Sequence, residues 1–287
     1  MGISSSFKNY IKTTPLVSPY IWLKNINSRT NSQSNEAQII DRLVAELNVP
    51  KAFIEFGFSG WEFNCINLAR SPEWKGLLAD GSAYNVTVAK KIFHKQIMAQ
   101  KLWITLDTLD LILDYAESKE IGILSIDVDG NDYWFLEKLI SINPALIITE
   151  FNVSFGSRPI SVPYDAAFDR TKKHESNEYY GASLSAFNHL CALHNYSLVE
   201  MSSNGVNAFF VRNGLVDDAR KLTPGERRLV KRYPDGSVAP TLQSWKEIKH
   251  LPYVDVTKPD ANYKATGAPL FARETSEQAA SRADSKL

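Results

Sequence analysis

The feature that most constrains the fold is an alternation of short apolar runs with longer amphipathic segments through the centre of the chain. Strands that alternate with helices form right-handed crossovers and a parallel sheet with helices on both faces. The sequence therefore predicts a doubly wound α/β fold. The apolar runs are residues 52–55, 76–80, 102–107, 121–127 and 145–150, and the segments between them are 61–70, 84–94, 108–117 and 131–142.

A different pattern follows the fifth run. After a predicted helix over 183–195, two further apolar runs at 197–201 and 207–211 flank Asn204-Gly205. Asn-Gly between two such runs is the strongest short-range signal for a β-hairpin. The complete expectation is a Rossmann-like seven-stranded sheet, mostly parallel, with a C-terminal antiparallel hairpin.

The pattern divides the chain into four parts. We expect an N-terminal arm at 1–33, the α/β domain at 34–213, a C-terminal helical appendage at 214–257 and a disordered polar tail at 258–287. In the appendage, Thr223-Pro224-Gly225-Glu226 is a capping box that predicts a short basic helix through Arg232. The connection 151–180 is unusually long and is rich in aromatic and basic residues, which indicates a binding lid.

Composition excludes several classes of protein. The 32 basic residues balance 32 acidic ones, so a general nucleic-acid binder is disfavoured. No apolar stretch is long enough to span a bilayer, and the N-terminus lacks the apolar core of a signal peptide. We therefore expect a cytoplasmic protein. The C-terminal Ser285-Lys286-Leu287 would be a peroxisomal signal only in a eukaryotic cell. The oligomeric state, including a homo-oligomer, stays open.

Each of the five runs ends in an acid, and the carboxyl ends of parallel strands share the edge where such folds bind ligands. These acids are Glu55, Asp80, Asp107, Asp127 and Glu150. Acids also begin helices as N-caps, which is a sufficient explanation for Asp107 and a partial one for Asp80. It explains Glu55 and Glu150 poorly, so those two are the stronger candidates for a site.

The loop after the first run contains Gly57 and Gly60, which allow a ligand to approach the backbone closely. It lacks the Gly-x-Gly-x-x-Gly pattern of dinucleotide sites, and Glu55 beside it would repel a pyrophosphate. NAD is therefore disfavoured. Asp80, at the end of the second run, is suited to accept the two hydroxyls of a ribose.

The fourth run continues as Ile123-Leu124-Ser125-Ile126-Asp127-Val128-Asp129-Gly130-Asn131-Asp132, and Thr105-Leu106-Asp107 precedes it. These motifs resemble class I S-adenosylmethionine-dependent methyltransferases of the FkbM type, over about residues 52–211. The resemblance implies that Glu55 and the Gly57–Gly60 backbone hold the methionine portion and that Asp80 holds the ribose. Residues 97–103 would lie near the adenine, with Trp103 in the core. Asp107 and Asp127 complete the expected cofactor-binding set.

FkbM-type enzymes are similar to O-methyltransferases that act on hydroxyls of natural products and glycans. A sugar hydroxyl is a poor nucleophile, so it needs a base or a metal that lowers its pKa. Asp127, Asp129 and Glu150 are expected at adjacent strand ends, where they would suit Mg²⁺. The alternative is that Asp127 and Asp129 anchor the loop and contact the cofactor. Asp127 or Glu150 is the expected base, and His174 in the predicted lid is the other candidate.

The sequence thus predicts an S-adenosylmethionine-dependent O-methyltransferase whose small-molecule or glycan substrate lies under residues 151–180. Two alternatives remain open. One is a nucleotide-dependent oxidoreductase on a similar fold, and the other is a methyltransferase-like scaffold that binds a partner without catalysis.

Overall fold

The computed structural model describes residues 32–60, 62–223, 230–233 and 235–258. Its described strands are β1 Ala52–Phe56, β2 Lys75–Asp80, β3 Ile97–Lys101, β4 Ile123–Ile126, β5 Leu146–Glu150, β6 Ile160–Ser161, β7 Tyr196–Met201, β8 Asn207–Arg212 and β9 Val254–Asp255. Seven of them form one sheet in the order β3-β2-β1-β4-β5-β8-β7. The first five strands in this order are parallel, and β8 and β7 are antiparallel. The predicted fold class is confirmed.

Helices connect the strands and cover the sheet. The described α-helices are α1 Glu36–Leu47, α2 Ile66–Arg70, α3 Ala83–Ile92, α4 Asp110–Glu117, α5 Asp132–Leu139, α6 Arg170–Lys173, α7 Leu184–Leu193 and α8 Thr241–Ile248. None of the described helices is long and apolar enough to cross a membrane.

The central strand β1 shows how the sheet is buried on both faces. All five of its residues are buried. Side chains alternate across a strand, so Ile54 packs in one core with Trp134 of α5, whereas Phe53 packs in a second core with Leu43 of α1. A strand that is buried on both sides reads as a continuous apolar run, which is why its position was predictable.

The third strand lies earlier in the chain than predicted. The predicted strand 102–107 is a loop, and β3 occupies Ile97–Lys101 at the edge of the sheet. An edge strand needs few apolar residues, and β3 alternates between buried Ile97 and exposed Met98. The placement of Trp103 in the core was also wrong, because this side chain is 58% exposed.

The C-terminal segment packs on the long connection 151–180. Helix α8 contacts the short 3₁₀ helix Val153–Phe155, and β9 pairs with β6. Phe155, Tyr179 and Ile248 are buried in the small core between them. Most of the predicted basic helix lies outside the described residues. Its last residue, Arg232, is not helical and forms a β-bridge with Val238. The predicted arm 1–33 and tail 258–287 also lie almost entirely outside the described residues.

Candidate active site

The loop after β1 passes very close to the end of β4. Gly57 has φ +70°, and a Cβ on it would lie 1.4 Å from the carbonyl oxygen of Asp127. Its N–H donates to the carbonyl of Ala79 on the neighbouring strand at 3.2 Å. Gly60 is also tightly packed, since a Cβ there would lie 2.6 Å from the side chain of Val88. Both predicted glycines therefore permit close approaches at this edge of the sheet.

Glu55 is buried beneath this loop. Its two carboxylate oxygens accept hydrogen bonds from the backbone N–H groups of Asn64 at 2.7 Å and Cys65 at 2.8 Å. Burial raises the pKa of Glu55 to about 7, against the lowering effect of these bonds. Glu55 therefore holds the start of α2 in place, and it also forms part of the floor of a cavity.

We call this cavity the first cavity; it has a volume of about 350 Å³. It has a polar part near the ends of β1, β2 and β4, and an apolar part near the loop that follows β3. The polar lining includes Glu55, Asp80, Asn85 and Asp127, and the apolar lining includes Leu102, Trp103, Ile104, Phe135 and Phe168. This division suits a ligand with one polar end and one flat apolar end.

Asp80 presents a carboxylate to the first cavity. One of its oxygens accepts hydrogen bonds from the N–H of Ser82 at 2.7 Å and from the side-chain amide of Asn85 at 3.2 Å. The other oxygen accepts no hydrogen bond from the described residues. Burial raises the pKa of this carboxyl group. The second oxygen is available to accept hydroxyl donors from a ligand.

Two aromatic side chains flank the apolar part of the first cavity. Trp103 donates from its indole Nε1 to the carbonyl of Ala166 at 2.9 Å, and its ring lies against Gly81. Phe168 packs on Gly130, where a Cβ would lie 2.2 Å from the phenyl ring. Ala166 and Phe168 belong to the predicted lid 151–180. In the structure, this part of the lid covers the first cavity.

The loop after β4 is shaped by an acid to which the sequence analysis gave no role. Asp132 is buried and accepts hydrogen bonds from the N–H groups of Val128 and Gly130, both at 2.8 Å. Burial raises its pKa to about 6. Asp129 takes φ +56° within this turn. The spacing Asp-x-Asp-Gly-x-Asp was the available signal, because Asp and Gly are typical turn residues and an Asp side chain often accepts hydrogen bonds from nearby backbone N–H groups.

This turn brings three carboxylates together, and we call Asp127, Asp129 and Glu150 the acidic triad. One carboxylate oxygen from each lies within 4.8 Å of the others. The pKa of Asp127 is raised well above its usual value, first by burial and then by Glu150 and Asp129. Burial also raises the pKa of Glu150 to about 8, although Arg170 and Lys231 act to lower it.

The acidic triad fits a hard divalent cation, which prefers carboxylate oxygens and would relieve the repulsion between them. The side chain of Asp127 makes no hydrogen bond with the described residues, so anchoring the loop falls to Asp132 rather than to Asp127. Asn152, which the sequence places two positions after Glu150, is not available to the triad. Its amide donates to the carbonyls of Glu178 and Tyr180 and accepts from the N–H of Ser154.

A second cavity of about 800 Å³ begins at the acidic triad. The second cavity extends under the turn between β7 and β8, to which Ser203 and Asn204 belong. It also extends under residues 230–233, which we call the C-terminal strap. The two cavities share four lining residues: Gln33, Glu62, Asp127 and Asp129. The acidic triad thus lies where the two cavities meet.

Arg170 connects the lid to the triad. Its guanidinium lies 2.5 Å from a carboxylate oxygen of Asp129 and donates from Nε to the carbonyl of Asn177, also at 2.5 Å. The same group lies 3.6 Å from the centre of the Tyr180 ring. The sequence analysis placed Arg170 in the lid but assigned it no partner, because nothing local indicates a contact 41 positions away.

Two predicted site residues lie outside both cavities. Asp107 is exposed in the loop before α4, because β3 ends six residues earlier than predicted. His174 bonds to Ser176 at 2.8 Å, and its ring lies 6.3 Å from that of His250. Neither residue lines the first or the second cavity, so the candidate site uses neither Asp107 nor His174. The cysteines Cys65 and Cys191 are buried and unpaired.

No family model matches this sequence, and no curated protein matches it. Solved structures that the chain resembles include an O-methyltransferase from Bacillus cereus in complex with SAH, at 17% identity and a TM-score of 0.44 over 70% of this chain and 94% of that one. Another is the N-terminal domain of EvdMO1 with SAH bound, at 12% identity and a TM-score of 0.40 over 61% of this chain and 79% of that one.

Proposed function

We propose that the protein is an S-adenosylmethionine-dependent O-methyltransferase that uses a divalent cation and acts on a hydroxyl group of a small molecule. The observation that carries this proposal is the meeting of two cavities at the acidic triad. A group-transfer enzyme needs its donor and its acceptor side by side at the reacting atoms. The two cavities offer separate places for them, and the triad supplies the groups that would act on the acceptor.

The residues of the first cavity fit S-adenosylmethionine. The unused carboxylate oxygen of Asp80 would accept the ribose hydroxyls, and Trp103 and Phe168 would flank the adenine. The backbone after β1 and the carboxylate of Asp127 would face the methionine portion, which suits its positive charges. A pyrophosphate would meet the same carboxylates and be repelled, which argues against a nicotinamide dinucleotide in this cavity.

The chain's own groups are suited to handle the acceptor proton. When bound, S-adenosylmethionine supplies an electrophilic methyl group on a sulfonium, and a divalent cation lowers the pKa of a hydroxyl bound to it. The triad would hold the cation and orient the acceptor oxygen towards the first cavity. Asp127 or Glu150 would take the proton from the hydroxyl, since both carboxylates line the second cavity where it meets the first.

The acceptor class rests on the resemblance of residues 123–132 to FkbM-type enzymes, which favours a sugar, a glycoconjugate or a natural product. The second cavity is the larger of the two and is lined mainly by polar and charged side chains, which agrees with a hydroxyl-rich acceptor.

Calorimetric titration of the full-length protein tests the proposal. S-adenosylhomocysteine and NADH are titrated separately, each with Mg²⁺ and with EDTA. We expect micromolar binding of S-adenosylhomocysteine and no binding of NADH. Binding of NADH alone would favour an oxidoreductase, and binding of neither ligand to folded protein would favour a non-catalytic scaffold.

A further inference from the structure

The second cavity contains basic side chains that the proposed chemistry does not use. Arg170, Lys231 and Arg232 all line it. The first two are partly offset by acids of the protein itself. Arg170 pairs with Asp129, and the ammonium of Lys231 lies 3.9 Å from the carboxylate of Glu178.

Arg232 differs from these two residues. Its backbone N–H donates to the carbonyl of Asn204 at 2.8 Å, and its β-bridge to Val238 fixes it from the other side. The main chain at Arg232 is therefore held against the β7–β8 turn. Its guanidinium forms no hydrogen bond or ion pair with the described residues, and the side chain is exposed at the cavity.

An arginine that is held by its backbone and whose side chain has no partner among the described residues offers a fork of N–H donors to phosphate or carboxylate. Asp129 and Glu150 line the same cavity, but they group with Asp127 in the triad and form no ion pair with Arg232 in the described structure. A divalent cation on the triad would offset much of its negative charge. The positive charge of Arg232 would then favour an anion in the same cavity.

We infer that the second cavity binds an acceptor with an anionic group, phosphate or carboxylate, and that Arg232 with Lys231 holds this group. The inference rests on the proposed function for the role of the ligand as acceptor. The anion subsite itself rests on the cavity and on the position of Arg232.

The test is calorimetric titration of the full-length protein in saturating Mg²⁺ with glucose 6-phosphate, glucuronate and glucose. We expect both anions to bind and glucose to bind at least about tenfold more weakly, because the charge-assisted hydrogen bonds are lost. The ratio between the phosphate and the carboxylate then identifies the preferred group. Affinity for the anions should fall as NaCl is raised.

Two variants locate the subsite. Arg232→Gln is expected to weaken anion binding about tenfold, whereas Arg232→Lys, which keeps the charge, should lose less. Arg212→Gln is the matched control, because Arg212 lies at the end of β8 that is remote from the β7–β8 turn, and its guanidinium donates to the carbonyl of Asn143 at 2.9 Å. It should bind the anions like the wild type.

Equal affinity for glucose and glucose 6-phosphate would overturn the inference, and so would unchanged anion binding in both Arg232 variants. S-adenosylhomocysteine is titrated in parallel into each protein. Its binding without any anion binding would refute the anion subsite and leave the proposed function standing. Arg232-dependent anion binding without S-adenosylhomocysteine binding would refute the proposed function and leave the subsite standing.

Discussion

The two cavities differ in how the chain builds them. The first cavity is formed mainly by residues that directly follow β1, β2, β3 and β4, so its walls are fixed by the sheet. The second is formed by the β7–β8 turn, Arg170 and the C-terminal strap, which come from distant parts of the chain. A parallel sheet thus specifies the first cavity through local sequence, whereas the second cavity depends on long-range packing of irregular segments.

Substitution of Gly57 is expected to disrupt the first cavity most strongly. In Gly57→Ala the new methyl group would lie 1.4 Å from the carbonyl oxygen of Asp127, and the residue would keep φ +70°. The β1 and β4 loops would have to separate, which we expect to lower the free energy of unfolding by about 4 kcal/mol. Urea denaturation measures this change.

Gly214→Ala is the matched control. Gly214 also has a positive φ, +90°, but a Cβ there would meet no atom within 4 Å. Only backbone strain remains, so we expect a loss of about 1 kcal/mol. Equal losses in the two variants would show that the new methyl group at position 57 does not clash with the β4 loop.

Asp127→Asn tests the junction between the cavities. The substitution removes one carboxylate of the triad and preserves its size. We expect affinity for Mn²⁺ to fall about a hundredfold. S-adenosylhomocysteine lacks the sulfonium charge that Asp127 would face, so we expect it to bind within about threefold of the wild type. Methyl transfer should be lost. Mn²⁺ binding is measured by electron paramagnetic resonance, and Asp107→Asn, which lies outside both cavities, is the control. Unchanged Mn²⁺ affinity in Asp127→Asn would show that the triad does not bind the cation.

The raised carboxyl pKa values predict how stability depends on pH. Glu55 has a pKa of about 7 and Glu150 of about 8, well above their values in the unfolded chain. Between pH 5 and 8 the folded protein therefore binds more protons than the unfolded chain, so the free energy of unfolding decreases as pH rises. We expect a decrease of several kcal/mol in EDTA, since each pH unit over which one such group is protonated in the folded chain and ionised in the unfolded chain contributes about 1.4 kcal/mol.

Mg²⁺ should reduce this decrease, since it stabilises the ionised triad, but it should leave the contribution of Glu55 in place. Urea denaturation at four pH values, with EDTA and with Mg²⁺, measures both effects. Stability that rises from pH 5 to 8 in EDTA would show that these buried carboxyl groups are not raised in pKa.

Much of the fold was predictable because each buried parallel strand is a continuous apolar run and the β7–β8 turn carries Asn-Gly. The edge strand β3 was misplaced because its half-exposed sequence has no such run. Strand-end position was sufficient to place Glu55, Asp80 and the acidic triad at one edge of the sheet, and their roles stay predictions. Arg170 and Arg232 could not be assigned to the site, because their positions depend on contacts with residues far along the chain.

Asp80→Asn tests the first cavity alone, and it has the smallest expected effect. The amide replaces one of the two carboxylate oxygens, so hydrogen bonding to ribose hydroxyls weakens. We expect S-adenosylhomocysteine to bind about tenfold more weakly, with Mn²⁺ affinity unchanged. Calorimetry measures the first quantity, and Asp107→Asn again serves as the control. A loss of Mn²⁺ affinity of similar size would mean that the two cavities do not act separately.

In the proposed enzyme, a methyl donor in the first cavity lies next to a cation held by the triad. The most direct test is nuclear magnetic resonance of S-adenosylmethionine carrying a ¹³C-labelled methyl group, bound to the protein with Mg²⁺ or with Mn²⁺. The paramagnetic Mn²⁺ should broaden the bound methyl signal strongly, Mg²⁺ should not, and Asp127→Asn should abolish the broadening. A bound methyl signal that stays sharp in saturating Mn²⁺ would show that the methyl donor and the cation do not lie side by side.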